Sequence, residues 1–393
     1  MYPSDDPTST TASSARSISR PSSASSTPSR GPAKSLPAGA PSTQDFEVRD
    51  TPTAGRAVFA SRFLPEGTLL WRSDDLTLYV LLREYRREVC GQCFSYDYGR
   101  DLPIRDQGVG FAFCSTQCQD VWGIWNGSVG VDAWRAVEAL VKKRSKEGDK
   151  MAEEGLQRPT SKAITKAWEE VEIQASLIRT LREVEQSTAS SSSPHATEVI
   201  ESVRITKQHR KALSKALQRK ISPDVMAFIV SGIIWYHNNP QDWPKVLALA
   251  DDQTPYHSAD DLAAFVRSYL HLLAILPLPL LSYLSPEIVF LLSSRDSHNS
   301  FGIRSLEDDG SEFFGYGCWP AASYFNHSCG PNIEQKRVGR VWEFRAGRDI
   351  GEGGELNITY LSGEEWKTSR EKRKGVLKKN WGFDCACPRC EAI

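Results

Sequence analysis

The chain carries no surplus of charge: 48 Lys and Arg stand against 49 Asp and Glu, a formal net charge of −1 over 393 residues. A protein that neutralises many phosphates normally shows a basic excess, so no direct nucleic-acid partner is expected. An uninterrupted apolar span is also lacking. His271 to Leu292 is long enough to cross a bilayer, but Pro277, Pro279, Pro286 and Glu287 interrupt it, and each break would leave backbone groups unpaired in lipid. Two buried helices around a proline turn are expected there, and no membrane. Without a secretory signal, the nine cysteines do not read as the disulfide framework of a short exported domain. A reducing compartment is expected, cytoplasm or nucleus. Core-forming residues are scarce at the start, where 13 Ser, 7 Pro and 5 Thr fill 25 of the first 44 positions. Residues 1–45 are therefore expected to form a disordered tail. Its Arg16, Arg20, Arg30 and Lys34 suit a transit peptide, but Asp5, Asp6 and the prolines spoil the amphipathic helix that import needs.

From Phe46 short apolar runs alternate with turn residues. Arg56 to Ala60, the turn Pro65-Glu66-Gly67 and Thr68 to Trp71 predict a hairpin. The segment 126–298 reads as a helical insertion. Trp168, Val171, Ala175, Ile178, Leu181 and Val184 recur at three- and four-residue steps with charge on the opposite face. Ser222-Pro223 and Ser285-Pro286 each place a capping hydroxyl before a proline suited to the first helical position. The Ser-rich run 187–194 reads as a flexible link between helices. After 299, Val341 to Arg345 and Leu356 to Tyr360 alternate apolar and polar residues between glycine clusters, as strands do. Helices inserted between two groups of strands give an α+β class.

Eight of the cysteines fall into two sets. Cys90-Gly-Gln-Cys93 and Cys114-Ser-Thr-Gln-Cys118, with 20 residues between the pairs, have the spacing of one structural zinc. A closed four-thiolate shell leaves no position for substrate, so this metal holds shape and does no chemistry. Cys385-Ala-Cys387-Pro-Arg-Cys390 supplies three thiolates, and a fourth ligand must come from elsewhere; Cys329 is the most economical candidate, because it would staple this segment to the body of the domain. Cys318 stands alone as a small packing residue.

The residues around these cysteines resemble the SET-domain protein lysine methyltransferases, in the SMYD-like form whose SET domain is split by a MYND-type zinc finger and a helical insertion. Gly55 to Gly67 looks like the opening SET motif. Asn326-His-Ser-Cys-Gly-Pro-Asn332 looks like the family signature, Gly354 to Tyr360 like the strand ending in the active-site tyrosine, and Trp381 to Cys390 like the post-SET zinc loop. Asn299 to Ile303 is similar to the segment closing the insertion. The resemblance covers about residues 46–390 and implies this order: N-terminal SET part 46–86, finger 87–125, insertion 126–298, C-terminal SET part with its knot-like crossing 299–368, and zinc loop 369–393.

The resemblance further implies S-adenosylmethionine as methyl donor, two structural zinc ions, Cys329 as the fourth ligand of the C-terminal site, and a monomer acting on a protein that presents a lysine. Tyr360 would orient the lysine amine. Asn326 and His327 would hydrogen-bond the donor, Phe383 would stack on its adenine, Arg56 would reach its carboxylate by side chain or backbone, and Asn299 would touch it as well. There are departures from the family pattern. The finger has four cysteines where a MYND domain usually has a two-zinc set, and Gly354 replaces an acid. They motivate the alternative of an inactive SET and zinc-finger interaction module.

Overall fold

The segment expected to close as a hairpin at 56–71 instead sends its two strands to different partners. In the computed structural model, which describes residues 36–52, 54–144, 157–190, 204–307 and 310–392, β1 (Phe46–Thr51) and β2 (Gly55–Ala60) form an antiparallel ribbon, with Phe46 opposite Ala60. β3 (Leu69–Ser73) pairs with residues 341–346. The turn between β2 and β3 is captured on the way: Leu64 exchanges backbone hydrogen bonds with Ile350 at 2.9 Å each way, and Gly67 N–H donates to Ala346. Long-range ladder bonds win over the local turn signal.

β4 (Leu78–Leu81) is buried throughout. A finger follows, with β5 (Ile104–Asp106) and β6 (Phe111–Phe113) paired antiparallel. α1 (Thr116–Arg144) starts beside Cys118 and kinks at Gly127, where φ is 68°. The expected boundary between finger and insertion, at 125, thus falls inside this helix. α2 (Ser161–Ser190) buries Trp168, Val171, Ala175, Ile178 and Leu181, the stripe that the periodicity predicts. It also takes in residues 187–190 of the expected link; 191–194 lie outside the described residues. α3 (Lys207–Leu217), α4 (Pro223–Asn238), α5 (Trp243–Leu247), α6 (Ala259–Ile275) and α7 (Pro286–Asn299) complete the helical part. Ser285 Oγ accepts from Ile288 N–H at 3.2 Å, capping α7, whereas Ser222 makes no such side-chain bond at the start of α4. Between α6 and α7 a 3-10 turn at Leu278–Tyr283 breaks the apolar run. Among the described residues no helix is long and apolar enough to cross a membrane.

β7 (Ser300–Arg304) and β8 (Phe313–Cys318) extend β4 into a sheet ordered β4-β8-β7. Cys318 is buried at the end of β8 and opposes Leu78. β9 (Asn326–His327), β10 (Ile333–Val338), β11 (Val341–Ala346) and β12 (Asn357–Ile358) follow; the second three-stranded sheet is ordered β10-β11-β3, and β12 lies parallel to β9. Residues 353–357 run between two earlier parts of the chain. On one side Gly353 N–H donates to Ala60 O of β2 and Ala60 N–H donates back to Gly354 O; on the other, Asn357 N–H donates to Asn332 Oδ1 at 2.8 Å. α8 (Gly363–Trp366), α9 (Arg370–Trp381) and α10 (Pro388–Glu391) close the chain's described part.

This is a mixed fold of small sheets with helices between them, as the α+β reading expects. Residues 1–35 of the expected tail lie outside the described residues. Its last part is packed: Pro41 is buried, Tyr324 Oη donates to Ala38 O at 3.4 Å, and Gly39 lies against Lys245. One half-buried cation ties β4, the finger and α1 to the second sheet. Arg340, in the β10–β11 turn, faces the rings of Trp125, Tyr79 and Phe94 at 4.6, 4.8 and 5.4 Å and donates to Gln92 Oε1 at 2.9 Å.

Candidate active site

The eight paired cysteines assemble as two sets. In the finger, Cys90, Cys93, Cys114 and Cys118 bring their sulfurs within 4.8 Å of one another, with Cys93 to Cys114 at 3.6 Å and Cys114 to Cys118 at 3.5 Å. In the second set Cys329 joins Cys385, Cys387 and Cys390 within the same limit, at 3.9 Å from Cys385 and 3.5 Å from Cys390. A tetrahedral zinc with bonds of about 2.3 Å spaces its sulfurs about 3.8 Å apart, so both donor sets fit one zinc each. Arg373 lies against the second set. Burial opposes its charge, but hydrogen bonds to Cys329 and Cys390 raise its pKa.

The signature loop connects this zinc set to the tyrosine. Parallel pairing aligns Asn326 with Asn357 and His327 with Ile358, and Ser328 N–H donates to Ile358 O at 2.8 Å. There the ladder stops, because the chain turns into the cluster at Cys329. The next donor on the other strand, Tyr360 N–H, is taken by His327 Nδ1 at 3.0 Å. The other ring nitrogen, Nε2, is 3.3 Å from Cys329 Sγ. Both nitrogens of His327 are therefore occupied within the protein, which leaves the backbone at 327 for any contact with a donor. Burial, with Arg373 nearby, lowers the His327 pKa to about 4, so the ring is neutral at physiological pH.

Tyr360 follows β12. Its hydroxyl donates to Phe325 O at 3.1 Å, and its ring packs against Trp381 at 5.4 Å and edge-on to Phe383 at 6.4 Å. Burial, with the Glu355 charge adding to it, pushes the phenol well above its ordinary value. The hydroxyl keeps its proton and acts as a neutral hydrogen-bond partner. Phe383 is half-buried and lies 6.1 Å from the His327 ring.

The remaining candidates approach from β2 and α7. Asn326 Nδ2 donates to Arg56 O at 3.0 Å. The Arg56 guanidinium stacks on Tyr324 at 5.0 Å, donates to Tyr324 Oη at 3.1 Å, and donates to Ala248 O. Asn299 Nδ2 donates to Ala250 O at 2.8 Å, and Asn299 O accepts from Ser323 Oγ at 2.9 Å. Contact by contact, Arg56, Asn299, Asn326, His327, Tyr360 and Phe383 form one neighbourhood around residues 323–327. Its chemistry fits S-adenosylmethionine: a guanidinium for a carboxylate, amides for hydroxyl and amino groups, and a half-buried aromatic face for adenine.

Three members were not legible in the sequence. Tyr324 is an unremarked aromatic just before the signature, and nothing in its neighbours marks it as the ring under Arg56. The carbonyls of Ala248 and Ala250 carry no side-chain signal at all. Their loop is fixed by Asp252, which accepts from Arg158 at 2.9 Å and Ser297 at 2.8 Å.

A family model described as SET domain matches residues 55–361. The potential protein lysine methyltransferase SET6 of Saccharomyces cerevisiae is 26% identical, over 88% of this chain and 95% of its own length. The histone-lysine N-methyltransferase ASHR2 of Arabidopsis thaliana is 30% identical over 42% of this chain and 44% of its own. Human histone-lysine N-methyltransferase SMYD3 is 41% identical over 24% of this chain and 20% of its own. The chain thus spans nearly the whole yeast relative and less than half of the other two.

Proposed function

The chain belongs to the SET-domain family, and from that premise we propose that it is a protein-lysine N-methyltransferase that uses S-adenosylmethionine and acts on a lysine of a histone or non-histone protein. The observation that carries this reading is Tyr360: a half-buried, neutral phenol just past β12, fixed to Phe325 O and set among His327, Trp381 and Phe383. The names of the relatives as lysine methyltransferases support it.

The donor supplies a methyl group on a sulfonium, and transfer to an amine is an in-line displacement whose barrier falls mainly through positioning. Tyr360 would hold the amine by its hydroxyl and place oxygen lone pairs toward developing positive charge. Phe325 O, which accepts the hydroxyl's hydrogen bond at 3.1 Å, fixes the direction of those lone pairs. Phe383 and Trp381 keep water from the amine, which favours its neutral form. Arg56 and Asn326 would bind and orient the donor.

Two measurements test the reading. Calorimetry with S-adenosylmethionine on the zinc-loaded protein should show one site, weakened at least about tenfold in Asn326→Ala. Labelled methyl transfer to lysate proteins should fall by on the order of a hundredfold in Tyr360→Phe. A folded, zinc-loaded protein that binds no donor overturns the proposal.

A further inference from the structure

The geometry points to His327 as a positioning residue that couples the C-terminal zinc set to the catalytic tyrosine, holding the Tyr360 backbone with one ring nitrogen and a zinc-ligand sulfur with the other. The inference rests on the reading of Tyr360 as catalytic.

The argument is a count of donors and acceptors. Tyr360 N–H can only donate, so His327 Nδ1, 3.0 Å away, must be the acceptor. A neutral imidazole has one acceptor nitrogen, so the hydrogen resides on Nε2. That nitrogen faces Cys329 Sγ at 3.3 Å, within reach of an N–H···S bond. Cys329 belongs to the four-sulfur set and also shares the set through its backbone N–H, which donates to Cys387 Sγ at 3.4 Å. A donor to a metal-bound thiolate draws off part of its charge and fixes its direction.

The need for this ring follows from topology. β9 and β12 are joined by only two residue pairs, and the signature strand leaves the ladder to bring Cys329 to the metal set. Without another acceptor Tyr360 N–H would lose its protein partner at the residue whose side chain does the chemistry. The ring supplies that acceptor and at the same time braces the sulfur that draws the strand away. Gln has one amide acceptor and one amide donor close together, so it can imitate the pair in part. Ala cannot.

The experiment uses the full zinc-loaded chain. Long-range proton–nitrogen NMR of the histidine rings, with His327 assigned by its loss in His327→Gln, should show the Nε2–H tautomer. Zinc release to a chromophoric chelator should show one of the two ions leaving about tenfold faster in His327→Ala and the other unchanged, with His327→Gln between wild type and alanine. Methyl transfer in His327→Ala should lose at least about tenfold in kcat, while the affinity for S-adenosylhomocysteine changes less than about threefold. An Nδ1–H tautomer, or unchanged zinc release with donor affinity lost tenfold, overturns the proposal and makes His327 a donor contact. If the wild type binds no donor, the proposed activity falls, whereas tautomer and zinc release still decide the role of the ring.

Discussion

Gly315 has no room for a side chain. In the middle strand of the β4-β8-β7 sheet its φ is 151°, and a Cβ there would sit 1.9 Å from Val80 O. Gly315→Ala should therefore cost roughly 3 kcal/mol or more, read as a fall in the urea midpoint at constant slope. A change under about 0.5 kcal/mol would mean that the strands can part freely. Asp296 makes a different statement about its surroundings. Burial raises its carboxyl pKa from 3.8 to about 7, against a hydrogen bond from Ser300. The folded state thus favours the protonated form. Its stability is fully present below pH 3.8, declines as pH rises toward 7 while the unfolded chain ionises freely, and is flat above. Asp296→Asn should match the wild type in Tm near pH 4 and exceed it at pH 7.5; parallel profiles across that range would refute the shift.

Among the elements, the β10–β11 turn is anchored through the side chain of Arg340. Arg340 inserts a planar cation among the rings of Tyr79 in β4, Phe94 in the finger and Trp125 in α1, and Trp319 Nε1 donates to its carbonyl at 2.7 Å. Lysine has neither the planar face nor the fork, so Arg340→Lys should cost roughly 2 kcal/mol and lower Tm. Calorimetric melting checks it, and a wild-type Tm would show that charge alone suffices. Element by element, legibility followed distance along the chain. α2 and the cap at Ser285 were readable because helical periodicity and capping are local properties. The hairpin at 56–71 was misread because β2 and β3 each find partners that no local pattern names. Alternation predicts a strand from Leu356 to Tyr360, yet only Asn357 and Ile358 pair with β9, because that strand is pulled aside at Cys329. The Tyr360 position was legible from its motif, but the use of both His327 nitrogens was not, since motif spacing says nothing about ring orientation.

For the whole molecule, the cysteines make the simplest quantitative claim. Two sulfur sets of four should hold two zinc ions per chain by elemental analysis, and the paired replacement Cys385→Ser with Cys390→Ser should leave one. A single ion in the wild type would refute the assignment. The ligand count at the C-terminal set was readable as three plus one, and Cys329 is the residue that the structure brings there. Ala248, Ala250 and Tyr324 entered the site unannounced, because tertiary packing and not composition places them. The separation of strand partners also sets the order in which the molecule can be made. Thr77 bonds to Cys318 across 241 intervening steps of chain, and Ser73 pairs with Trp342, whereas the finger and helices in between draw on neighbouring segments. During synthesis the helical part leaves the ribosome and collapses first, while β3 and β4 wait with open edges for strands not yet translated. Those waiting edges are where aggregation of the nascent chain would start.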